Sequence, residues 1–450
     1  MHLNSDRGTL LYGTKASSES GDISFQNGRF LSWKGNAALS WEVAVHGDEQ
    51  FDLYMIANVR KDGNGNRINL GWGEKDTYHY ELQKTSGPYP RGKNFERIKI
   101  ASNLAFAKGN RTITLSTEGV SSENVLFDFR SLELLPVSAK FAIRVENERA
   151  VDSRANVNWM VNAGYGVMFH WTSQSVQADG SLRSFEDAVN AFDVDRFARM
   201  VEKTGAGYVM FTIGHAESFC PAPIKSWEAC HPGQTTQRDL IDDIAEALME
   251  RGIPLICYIN GPLGFVFDTK KKPSAAEKKT FVNNFKSILQ EMGNRYKSKI
   301  AGYWFDSWYQ IFEAYPNVPF EEFFQATKIG NKDRIICLNS WIYPAVTPWQ
   351  DYWAGEVASP IEIPKNGYMQ AGPVPDLPYQ ALLIMEPYWV QKKAEMPEPR
   401  FDSMRLSKYI RDCMENGGAV TINLGIYQDG TVGEKALQVM NEVKRHIRNK

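Results

Sequence analysis

The sequence predicts an N-terminal antiparallel β-sandwich, residues 1–150, followed by a C-terminal (β/α)8 TIM-like barrel, residues 151–450. Three observations lead there. At 450 residues the chain exceeds the usual size of one domain. Its first third alternates apolar and polar residues in short runs broken by turn signals, as half-buried strands do. From Gly164 onward the rhythm becomes apolar strand, loop and amphipathic helix, repeated.

In the first domain Ala38–Val45, Phe51–Ala57 and Tyr78–Leu82 read as strands, with turns at Lys61-Asp62-Gly63-Asn64-Gly65-Asn66 and Lys108-Gly109-Asn110. Arg111–Leu115 and Val125–Phe129 follow. Leu132–Leu135 is expected to be a closing edge stopped by Pro136, because proline cannot donate into an interior ladder. Residues 137–161 connect to the second domain.

There the strand Gly166–Trp171 comes first. The helix Val194–Lys203 carries Phe197, Met200 and Val201 on one face and ends at Gly205. Strand Gly207–Thr212, helix Leu240–Met249, strand Ile253–Tyr258 and helix Ala276–Met292 continue the alternation. Strands Ile300–Asp306, Arg334–Leu338, a short one near Tyr352, Gln380–Met385 and Gly418–Leu424 bring the number to eight, as a (β/α)8 barrel needs. A doubly wound sheet is the competitor, but no strand is followed by a glycine-rich phosphate turn.

Lysine and arginine (51) nearly balance aspartate and glutamate (53), so net charge gives no reason to expect nucleic acid or an anionic membrane surface as partner. Five scattered cysteines show neither a CxxC pair nor metal-ligand spacing, and no metal or organic cofactor is expected. No long apolar stretch suggests membrane insertion or a leader. The expected location is periplasmic or extracellular with a leader removed, with the cytoplasm as the alternative. Aromatic residues make up 12%, several beside polar residues in loops, which suits a carbohydrate whose C–H faces stack on flat rings.

The chemistry is expected where barrel strands end. Tyr303-Trp304-Phe305-Asp306 is an apolar strand delivering one carboxylate. Apolar neighbours disfavour its charge, so a functional Asp306 requires hydrogen-bond donors close by. His170, His215 and Tyr258 also fall at strand ends, where their polar tips can meet sugar hydroxyls, and Trp171 and Trp308 are candidates to stack on the ring. Glu386 follows an apolar strand, a setting that keeps a carboxyl protonated, and Glu217 lies beyond the second strand.

From about Gly164 onward the chain resembles the retaining α-L-fucosidases. Gly166-Val167-Met168-Phe169-His170-Trp171 is similar to that family's first strand, and the stretch from Phe192 to Val209 to its first helix and second strand. Gln237-Arg238-Asp239-Leu240 and Tyr303-Trp304-Phe305-Asp306 are similar to its Lys-Arg-Asp-Leu and nucleophile strand, and Asn416–Gly425 with Asp429-Gly430 to its closing motif. The resemblance implies an oligosaccharide or glycoconjugate substrate and a double displacement with Asp306 as nucleophile. It also implies Glu356, in Gln350-Asp351-Tyr352-Trp353-Ala354-Gly355-Glu356, as acid/base, with Glu386 and Glu217 as alternatives. His170, His215 and Tyr258 would bind the sugar. The N-terminal sandwich resembles the carbohydrate-binding modules joined to glycosidases. Three departures stand out: His215-Ala216-Glu217 replaces a His-His pair, Asn339-Ser340-Trp341 replaces Asn-x-Arg, and a Glu-Trp-Tyr motif has no counterpart near Ser184-Phe185-Glu186. They suggest a sugar other than plain α-L-fucose, or a silent carbohydrate-binding protein on the same barrel.

Overall fold

Nine antiparallel strands build the first part of the chain: β1 (Thr9–Tyr12), β2 (Ser18–Gln26), β3 (Phe30–Val45), β4 (Glu49–Val59), β5 (Arg67–Gly71), β6 (Thr77–Glu81), β7 (Glu96–Phe106), β8 (Gly109–Thr117) and β9 (Val125–Pro136). The computed structural model describes residues 1–26, 28–73, 76–86, 94–120, 123–260, 272–360, 363, 368–369, 374 and 376–448. It divides into two units, one built on Met1–Asp152, the other on Ser153–Trp341 and most of the residues beyond Trp341.

In the first unit the strand order is β6-β5-β8-β3-β9-β4-β7, with β1 on β9 and β2 on β3. All nine strands belong to one sheet, within which β3 changes partner along its length. Leu31–Lys34 of β3 pair with β9, and beyond Gly35, whose φ of +47° bends the chain, Ala37–Val45 pair with β8. Past the bend Ala37, Leu39, Trp41, Val43 and Val45 are buried at alternate positions, as period-two patterning requires.

One expectation is corrected. Leu132–Leu135 is not an edge: β9 runs unbroken through it and bonds to β1, β3 and β4. Arg130 and Ser131, which separate the two expected runs, are buried in the continuous strand, and so is Asp128 just before them. Asp128 accepts Ser32 Oγ at 2.8 Å, Asn58 Nδ2 at 2.8 Å and the Arg60 guanidinium at 2.8 Å, which satisfies a carboxylate inside the sheet. The stretch 137–161 contains two helices, Lys140–Asp152 and Asn158–Asn162.

The second unit holds β10 (Tyr165–Phe169), β11 (Val209–Gly214), β12 (Leu255–Asn260), β13 (Ile300–Asp306), β14 (Ile335–Leu338), β15 (Trp353–Ala358), β16 (Tyr368–Met369), β17 (Leu377–Ile384) and β18 (Ala419–Asn423). Eight of these form a parallel barrel in the order β14-β13-β12-β11-β10-β18-β17-β15, and β16 pairs antiparallel with β17. Helix Val194–Thr204 is capped by the Asp193 carboxylate and stopped by Gly205 at φ +71°, a left-handed position that suits glycine.

The junction of β14 and β15 is closed largely by side chains. The Asp351 N–H donates to Ile336 O at 2.9 Å, and Asp351 Oδ2 accepts the Ile336 N–H at 2.6 Å and Lys328 Nζ at 2.8 Å. Gln350 Oε1 accepts the Leu338 N–H at 3.2 Å. A strand edge inside the barrel is thus satisfied without a ladder, which is why the strand near Tyr352 is faint in the sequence.

Met168, Ile256, Trp304, Cys337 and Ala354 fill the barrel interior from five strands. Two residues further along each strand direction stand His170, Tyr258, Asp306, Asn339 and Glu356. Alternation therefore carries this polar set to the C-terminal mouth, on the inward face.

Candidate active site

Asp306 ends β13 with three donors on its carboxylate. Tyr258 Oη donates to Oδ2 at 2.7 Å, while Asn339 Nδ2 and the Ser307 N–H donate to Oδ1 at 2.7 and 2.6 Å. The donors that a charged aspartate among aromatics requires are thus present. Burial, reinforced by the Asp306 charge, pushes the Tyr258 hydroxyl far above its ordinary pKa, so it stays a neutral donor.

Asn339 also donates to Glu356 Oε2 at 2.9 Å. Its own amide oxygen accepts the Trp341 N–H at 2.9 Å, which turns the NH2 group toward the two acids. Two acceptors on one trigonal nitrogen lie about 5 Å apart. Sequence reasoning noticed Asn339 only as part of a motif that had lost its arginine. The signal available was its register, two residues past the interior Cys337.

The imidazoles of His170 and His215 meet edge to face at 4.7 Å, and His170 lies 4.9 Å from the Tyr258 ring. Burial holds the His170 pKa well below its ordinary value, with His215 and Lys392 adding to the shift. Burial lowers that of His215 too, outweighing the attraction of Glu217 and Asp306. Both rings are neutral near pH 7. His170 Nδ1 is buried with no hydrogen-bond partner among the described residues.

The other acids are placed differently. Glu386 is buried at the end of β17, where its Oε2 accepts the Gly425 N–H at 2.8 Å and burial pushes its pKa up to about 7. Glu217 Oε1 accepts from Gln174 Nε2, and its Oε2 lies 3.7 Å from His215 Nδ1. Neither has a hydrogen bond to Asp306 or Asn339 among the described residues.

The two tryptophans expected to stack on a sugar ring are both buried. The Trp171 ring packs among Phe185, Phe192 and Phe211, and its N–H is spent on Gln428 O at 3.2 Å. It follows inward-facing His170 by one residue, so alternation turns it to the helix layer. Trp308 is fully buried among Phe281, Phe285, Phe320 and Phe323. Trp308 serves packing, and Trp171 packs on its aromatic neighbours while also lining a small recess beside His215 and Glu217.

Backbone strain collects at the same mouth. Ser218, Ser307, Trp341 and Ala358 have φ between +56° and +63°, four of the seven non-glycine residues with positive φ among those described. Each follows a polar mouth residue by one or two positions. Such backbone costs about 1–3 kcal/mol per residue and gathers where geometry serves function.

A family model described as Alpha-L-fucosidase matches residues 183–450, every barrel strand after the first. The chain belongs to the alpha-L-fucosidase family. It is a glycoside hydrolase. No curated protein matches it in sequence. Among solved structures, alpha-L-fucosidase AlfC from Lactobacillus casei with alpha-L-fucose product is 18% identical, covering 65% of this chain and 99% of that one with a TM-score of 0.45. A GH29 alpha-L-fucosidase from Bacteroides thetaiotaomicron, a trapped covalent intermediate, is 17% identical over 65% and 74% with a TM-score of 0.49.

Within this alpha-L-fucosidase family member the departures take definite form. Trp341 lies against Tyr309 at 5.7 Å, tilted by 34°. Ser184 caps the helix Phe185–Ala191, and Glu186 accepts the Gln237 N–H at 3.3 Å. These residues are engaged in local structure. Glu217 points back to the imidazole of His215.

Proposed function

We propose that this chain removes an α-linked sugar of the L-fucose type from an oligosaccharide or glycoconjugate by a retaining double displacement, with Asp306 as nucleophile and Glu356 as acid/base. What supports the reading is the amide of Asn339, bonded to both carboxyls at once. A separation of about 5 Å is that of retaining glycosidases, where roughly 5–5.5 Å brings the second carboxylate against the sugar with no room for a water between them.

In the first step an Asp306 oxygen forms a bond to C1 as the bond from C1 to the glycosidic oxygen breaks, and Glu356 gives that oxygen its proton. In the second, water attacks C1, Glu356 takes the water's proton, and the ester to Asp306 breaks. Tyr258 and the Ser307 N–H hold the carboxylate in one orientation, so little reorganisation precedes attack. Glu356 is preferred to Glu386 and Glu217 because it alone of the three shares a donor with Asp306 among the described residues. The neutral rings of His170 and His215 can each donate to, and accept from, sugar hydroxyls.

Aryl α-glycosides, including the L-fucoside and a galactoside, test the reading with the parent and Asp306→Ala. Aglycone release by the parent and loss of about 10³-fold or more in the variant is expected. No release from any of them, with oligosaccharide bound equally by both proteins, would favour a silent carbohydrate-binding protein.

A further inference from the structure

Glu217 lies outside the Asp306, Asn339 and Glu356 set, yet three loops converge to hold it. Gln174, beyond β10, donates from its side-chain amide to Glu217 Oε1, and Lys392 Nζ, beyond β17, donates to the side-chain oxygen Oε1 of Gln174. The turn carrying it is closed by the Ser218 N–H on His215 O at 2.9 Å, and Ser218 O accepts the Trp227 indole N–H at 2.7 Å. Ser218 takes φ +60° to complete that turn. A loop glutamate with no task needs no such buttressing.

The other carboxylate oxygen faces His215. At 3.7 Å the Oε2 to Nδ1 gap is too long for a hydrogen bond, and the fold brings no other partner to Oε2 among the described residues. A hydroxyl set beside the pair, not between them, can bond to both at once. Beside them is a recess of about 10 Å³, lined by Thr172, Thr212, His215 and Glu217 among others. That is room for one water or one hydroxyl. Thr212 Oγ1, nearly fully buried on this lining, has no hydrogen-bond partner among the described residues. His215 itself touches His170 and stacks over Tyr258, the ring that holds Asp306.

We infer that Glu217 is a specificity-determining residue: it and His215 together grip one hydroxyl of the sugar, which donates to Oε2 and accepts from the imidazole, while Gln174 and Lys392 fix the carboxylate for that task. This rests on the sugar-binding reading of the mouth and assigns Glu217 to recognition, not to proton transfer. His215 fits its part because burial keeps it neutral, with one N–H to offer.

Calorimetry with L-fucose and its 2-, 3- and 4-deoxy analogues, on the parent, Glu217→Ala and Gln174→Ala, tests it. Glu217→Ala is expected to weaken L-fucose about 10- to 100-fold, the range for a hydrogen bond to a charged group, and to leave one deoxy analogue unaffected. Gln174→Ala should give the same pattern, more weakly, with the carboxylate present but unheld. Equal losses on all four sugars, or unchanged L-fucose binding in a Glu217→Ala protein that unfolds like the parent, would overturn the assignment. Aryl α-L-fucoside hydrolysis is measured alongside. A parent that hydrolyses it without a deoxy-selective loss in Glu217→Ala overturns this inference alone. A parent that shows the selective binding without hydrolysis removes the glycosidase reading and upholds this one.

Discussion

Asn339 Nδ2 donates to Asp306 Oδ1 at 2.7 Å and to Glu356 Oε2 at 2.9 Å, so one amide spaces the two acids of the site. Losing it removes a donor from Asp306 and the tie between the two carboxyls. Asn339→Ala is expected to lower kcat for an aryl α-L-fucoside by about 10²- to 10³-fold, the effect of deleting one preorganised donor, with a smaller change in KM. Steady-state kinetics on a variant that unfolds like the parent gives the answer.

Glu356→Ala separates the three candidate acids. A missing general acid hurts poor leaving groups most, so this variant should lose about 10²- to 10⁴-fold on an oligosaccharide and much less on an activated aryl glycoside. Equal activity of parent and variant on both would move the role to Glu386 or Glu217.

Glu386 gives the fold a pH dependence. Burial raises its pKa from the ordinary 4.5 to about 7, so the folded protein holds a proton that the unfolded chain has released between those values. Its contribution to stability is full below pH 4.5 and is lost as pH rises through 7. Urea unfolding at about pH 4.5 and about pH 8 should show the parent losing about 3 kcal/mol relative to Glu386→Gln over that interval.

Asp351 closes the barrel. Its buried carboxylate takes the Ala155 and Ile336 N–H groups and Lys328 Nζ. Asp351→Ala leaves a buried ammonium and two buried amides without their acceptor. A loss of about 3–5 kcal/mol is expected, read as a fall in the urea midpoint at unchanged slope.

The sequence was most legible where pattern and chemistry coincide. Asp306 stands out because an apolar strand ends on it, and seven of the eight barrel strands because each carries its own apolar run, the one near Tyr352 being faint. Asn339 was read only as a motif that had lost an arginine, because one amide's value lies in touching residues 33 positions before it and 17 after it. Trp171 and Trp308 were read by residue type, whereas strand alternation and a helix starting at Trp308 turn them into the packing around the barrel. Leu132–Leu135 was read as an edge because Pro136 follows it, whereas the strands that cover it, β1 and β4, lie far away in the sequence. In each case the missing information was a contact across the fold.

The central claim, that Asp306 and Glu356 act at the short spacing Asn339 imposes, is tested most directly by the stereochemistry of the first product. Proton NMR during hydrolysis of an aryl α-L-fucoside, or of whichever aryl α-glycoside is cleaved, follows the anomeric signal before mutarotation mixes it. The α-anomer is expected to appear first, because two inversions at C1 retain configuration. The β-anomer appearing first would mean a single displacement by water and would contradict the account.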